Sequence, residues 1–128
     1  MALLDKIEML KCEYVVLQER DFKLKIAIQI YSAKLKRTEN ELEGIEVVRH
    51  DVDVMASSET DVSKIAVLKA KSAVMSHDSQ SIKEMIDDLR CRLEKNAVMA
   101  EIVNESMLNV DAKIKIEQSK LDSFKASP

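Results

Sequence analysis

The sequence is short of everything that makes the chain turn. Its 128 residues include one glycine, Gly44, and one proline, residue 128. There is no Asn-Gly or Asp-Gly pair, and apart from Gly44 no glycine or proline on which a tight turn is built. Hairpin meanders, β-sandwiches and doubly wound folds with glycine-rich loops are thereby excluded. Aromatic residues are equally scarce, at 3% with no tryptophan. The two cysteines, Cys12 and Cys91, belong to no CxxC pair and no ligand set. They read as small packing residues of a reduced, intracellular protein. No apolar run approaches the ~20 residues of a membrane span. The segment Met-Ala-Leu-Leu-Asp-Lys-Ile-Glu also lacks the charged-then-apolar layout of a signal peptide. A net charge of −3 argues against a general nucleic-acid binder, which needs a basic surface.

What is present is helical. Apolar residues make up 46% and charged residues 34%, with too little proline for disorder. Apolar residues recur in alternating steps of four and three from Leu3 through Ile7, Leu10, Tyr14 and Leu17 to Val52. Only Asp21, Thr38 and Arg49 interrupt this row. A 3.5-residue period sustained so far specifies a long helix packed along a coiled-coil-like seam. A second row runs from Ile65 and Leu68 through Ser72, Met75, Ser79, Ile82, Met85/Ile86 and Leu89 to Glu117, Leu121 and Phe124. Between the rows, Ala56 to Asp61 is polar and offers Ser57, Ser58, Thr60 and Asp61 as N-caps.

The spacing predicts an all-α, elongated, antiparallel coiled-coil-like three-helix bundle in a single domain. Helix 1 spans about 2–55, a turn 56–60, helix 2 about 61–104 with a kink near 76–81, and helix 3 about 107–126. The kink is expected where Ser76 to Ser81 supplies no apolar residue, and the break at Asn104 to Ser106. A third helix also answers a second need. Cys12, Val15, Phe22, Ile26 and Ala33 form a stripe on helix 1 offset from the seam. A helix with two apolar faces requires two neighbours, either a folded-back third helix or a second copy. The charges do not read as a ladder of i,i+4 pairs, and Glu39–Glu43 is repulsive.

No catalytic constellation is legible. There is no phosphate-binding glycine loop, GxSxG or HExxH. His50 and His77 are isolated, and Asp51, Asp53 and Asp61 lack the glycine turn of a calcium loop. A bundle with short turns is also expected to offer no concave pocket of substrate size. These features predict a non-enzyme without cofactor or metal. Tyr14 and Tyr31 fall on the seam, and Lys34, Lys36 and Arg37 form the one dense basic patch.

The segment from Asp61 reads Asp-Val-Ser-Lys-Ile-Ala-Val-Leu-Lys-Ala-Lys-Ser-Ala-Val-Met-Ser-His-Asp-Ser-Gln. It resembles the second helix of the tubulin-binding cofactor A family at Asp61, Val62, Lys64, Ala66, Leu68, Ser72, Val74, Met75, Asp78 and Gln80. It departs from that family at His77, usually proline there, and at Ser79, commonly cysteine. It also lacks the family's glycine turn and has a longer first helix. The resemblance implies a cytoplasmic, cytoskeleton-associated chaperone that binds β-tubulin as a monomer or homodimer. It implies that neither nucleotide nor metal is needed, while the absence of catalysis, nucleic acid and membrane is expected from the residues themselves. Lys64, Lys71 and Asp78, off the seam, are the partner-binding candidates. The rival expectation is a structural coiled-coil subunit of a cytoskeletal, tethering or kinetochore-type assembly.

Overall fold

The structure is a computed structural model that describes residues 2–126. It consists of two helices, α1 (Ala2–Ser58) and α2 (Val62–Ala126), of 57 and 65 residues. The described residues contain no strand. The connection is three residues long and built by carboxylates. Glu59 Oε1 accepts the N–H groups of Thr60 and Asp61 at 3.1 and 3.2 Å. Asp61 is the N-cap of α2. Its Oδ1 accepts the Ser63 N–H at 2.9 Å, and its carbonyl accepts the Ile65 N–H at 2.9 Å. Ser57 and Ser58 do not cap α2; their hydroxyls donate back to carbonyls of the last turns of α1.

The expected third helix is absent, because residues 107–126 are the continuation of α2. Helix α2 also runs unbroken through Ser76–Ser81 and Asn104–Ser106. Serine and asparagine cost only tenths of a kcal/mol in a helix interior, whereas glycine costs ~1 and proline ~3. Neither stop residue is present here. Val103, Met107 and Val110 hold the seam register across the proposed break, and all three are buried or half-buried.

Packing divides the chain into two units. One joins α1 up to Gln29 with α2 from Glu94 onward; the other is Ile30–Leu93, including the turn. In the first unit the core contains Ile7, Leu10, Val103, Val110 and Leu121. In the second it contains Val52, Ile86 and Leu89. Every position of the first row, from Leu3 to Val52, is buried or half-buried. The second row behaves likewise except at two points. Ile86 takes the seam position and Met85 faces out. Phe124, expected on the seam, is 65% exposed. Lys6 on α1 lies level with Glu117 on α2.

Polar residues on the seams are accommodated differently. Thr38 is buried, and its hydroxyl donates to the Lys34 carbonyl at 2.7 Å. Asp21 pairs with Lys25 at 2.7 Å. Ser72 reaches Asp53 Oδ1 at 2.6 Å. Ser79 is 1% exposed and its hydroxyl has no partner. Charges are more paired than expected. Among the described residues four i,i+4 bridges occur, at Glu19–Lys23, Asp21–Lys25, Asp88–Arg92 and Asp111–Lys115. In the second unit Lys83–Glu46 and Arg90–Glu39 also cross between helices at 3.4 Å.

Candidate interaction surface

The candidate residues Lys64, Lys71 and Asp78 are all exposed on α2. They stand seven residues apart, two helical turns or ~10 Å, and so share one edge of that helix. None belongs to an ion pair among the described residues. Lys64 borders a shallow hollow with Met55, Val67 and Leu68, and Asp78 borders another with Gly44, Val48 and Met75. The three form a polar edge of mixed sign, suited to electrostatic contact.

The offset stripe on α1 is uncovered. Val15 is 59% exposed and Phe22 64%; Ile26, Ala33 and Cys12 are also exposed. Both cysteines face solvent as free thiols, so neither packs in a core. Cys12 lies outward because its row is offset from the seam by about half a turn. The stripe is also wider than its first five members. Met9, Val16 and Ile30 are exposed on the same side of α1.

Within the first unit this side opens into a groove of about 900 Å³. Its floor is Met9, Cys12, Val16, Leu17 and Val110, and its rim includes Asp5, Glu8 and Glu13. The expectation of no concavity of ligand size is therefore corrected. The small side chain of Ser106 stands where α2 flanks Leu17, and it leaves the space unfilled. The groove is an open surface trough with an apolar floor and an acidic edge. Its sequence signal was the run Asp5-x-x-Glu8-Met9-x-x-Cys12-Glu13-x-x-Val16, in which acid and apolar positions alternate at helical spacing.

No family model, curated protein or solved structure matches this chain. The surface alone therefore carries the functional argument. On the opposite helix of the same unit Val98, Ile102, Leu108 and Ile116 are exposed as well. His50 and His77 are exposed, in keeping with their reading as surface residues. Among the described residues no group of three His, Cys, Asp or Glu side chains could hold a metal ion. No helix is long and apolar enough to cross a membrane.

Among the described residues one carboxylate has a shifted titration, and it is structural. Glu117 occupies a seam position at 5% exposure. Its Oε1 meets Lys6 at 3.1 Å and Lys120 at 3.4 Å. The Lys6 hydrogen bond, helped by Lys120 and opposed by burial, holds this carboxyl below the usual glutamate value. Arg92 lies over the Tyr31 ring, 5.9 Å from its centre, and bonds Asp88 at 3.0 Å. That contact covers the exposed edge of a half-buried seam tyrosine.

Proposed function

We propose that this chain is a non-catalytic binding module, a two-helix subunit of a larger assembly. The observation that carries this reading is the apolar surface left open on both helices of the first unit. Met9, Val16 and Phe22 face out from α1, and Ile102 and Leu108 from α2. Scattered surface apolar residues need no explanation, but rows at helical spacing beside an apolar groove mark an interaction face. Recovery of the tagged full chain from extract tests this. A stoichiometric partner is expected with the native chain and not with V16D or I102D. Equal recovery of partners by all three would contradict it.

A second reading is favoured by the Asp61–Gln80 segment, together with the single edge shared by Lys64, Lys71 and Asp78. It is binding of β-tubulin as a folding chaperone in the cytoplasm, without nucleotide or metal. The resemblance implies a three-helix bundle, and this chain has two helices, so contact would fall on the polar edge of α2. Such contact is screened over ~8–10 Å at physiological salt. Affinity for tubulin is then expected to fall as salt rises, and K64E/K71E is expected to weaken it with the helical signal intact. Absence of binding at ~100 μM tubulin in low salt, from a folded sample, would remove this reading.

A further inference from the structure

The outward row of α1 has a pattern that a binding face for arbitrary partners would not need. In steps of four and three it reads Asp5, Met9, Cys12, Val16, Glu19, then Lys23, Ile26, Ile30, Ala33, Arg37. All ten are exposed. Turned end for end about Asp21, the row matches itself. Val16 falls on Ile26, Cys12 on Ile30 and Met9 on Ala33, apolar against apolar. Glu19 falls on Lys23 and Asp5 on Arg37, acid against base. Glu8, on the groove rim, falls on Lys34 of the basic patch. We infer that the occupant of this face is a second copy of the chain, with α1 packed antiparallel on α1 about a two-fold axis beside Asp21.

Three features converge on that occupant. The spacing is that of a coiled-coil seam, so the row interlocks with a like row. The contact is isologous, so each opposite-charge match occurs twice. The groove of the first unit, with its acidic rim, receives the segment from Ile26 to Arg37 of the other copy, which ends in the basic patch. The area is also sufficient. Met9, Val15, Val16, Phe22, Ile26 and Ile30 are 39–66% exposed. At ~100 Å² removed from water per side chain of this size, they supply roughly 600 Å² per copy. Stable interfaces begin near ~600 Å² per partner. The pairing therefore belongs to a concentration-dependent dimer and not to an obligate one.

This inference rests on reading α1's outer side as an interaction face, and it names the occupant. The full chain is examined by sedimentation equilibrium up to ~100 μM, where more than half is expected as dimer. V16D, at a residue 63% exposed in the single chain, is expected to leave the helical signal intact and to weaken the dimer by ~10-fold or more, since symmetry counts it twice. E19K and K23E are each expected to weaken it, and E19K/K23E together to restore it, because the swap returns acid to base across the axis. Register is read by disulfide trapping in a C91S background. The thiol introduced by I30C is expected to join Cys12 of the other copy. It cannot join Cys12 of its own chain, 18 residues or ~27 Å along one helix. A monomer at every concentration overturns the proposal, as does a dimer that links Cys12 to Cys12, which is the parallel arrangement. A monomer that still recovers a V16D-sensitive partner from extract overturns self-pairing alone; a monomer that recovers none removes the subunit reading as well.

Discussion

Single residues on the seams show where helical register outweighs side-chain chemistry. Ser79 is buried with an unpaired hydroxyl, and such a group costs ~1–3 kcal/mol. Ser79→Ala removes the hydroxyl and leaves the helix intact. It is expected to stabilise the chain by ~1 kcal/mol, read as a rise in the midpoint of urea unfolding. A lower midpoint would show that the hydroxyl has a partner in solution. Glu117 is the opposite case, a seam carboxylate retained by two lysines. Because its folded pKa is depressed, its contribution is fully present above the ordinary glutamate range and fades as pH falls through the lower folded value. Glu117→Gln is expected to flatten the acid side of the stability-versus-pH curve. An unchanged acid limb would mean that the Lys6 contact contributes nothing. Neither feature was visible as such in the sequence. Ser79 was legible as a thin point in the row, but nothing local told whether its hydroxyl would be paired.

At the scale of the helix, the apolar rows located both seams almost residue by residue, because a 3.5 period leaves one choice of inward face. The ends were less legible. Phe124 continues the row in sequence, yet it is 65% exposed. The break at Asn104–Ser106 was inferred from polar composition, which lowers helix propensity without stopping a helix that is packed on both sides of the gap. Ion pairs such as Arg90–Glu39 depend on the stagger of the two helices, which no local pattern encodes. Gly44 tests the helical account directly. It lies within α1, its φ is not positive, and a Cβ built there meets nothing within 4 Å. Gly44→Ala is therefore expected to stabilise by ~0.5–1 kcal/mol, through the entropy of the unfolded chain and helix propensity. A destabilised G44A would place that side of α1 against a neighbour.

For the molecule as a whole, the outward stripe is the feature whose meaning the structure changed. The sequence required a second neighbour for α1 and allowed a folded-back helix to supply it. Because α2 is continuous to Ala126, that supply is removed, and the face stays open with Met9, Val16 and Ile30 added to it. The groove needed both helices to be seen, since its floor joins Cys12 on α1 to Val110 on α2. Cys12 reports on this face directly, and Cys91, exposed on α2 outside the row, is an internal reference. The decisive measurement is the alkylation rate of each thiol in the full chain, followed by peptide mass spectrometry over a dilution series from ~100 to ~0.1 μM. Cys12 is expected to react as fast as Cys91 when dilute and progressively more slowly as concentration rises, while Cys91 stays constant. Slow reaction of Cys12 at every dilution would mean that a segment of the same chain covers α1, and fast reaction at every concentration would mean that no second copy does.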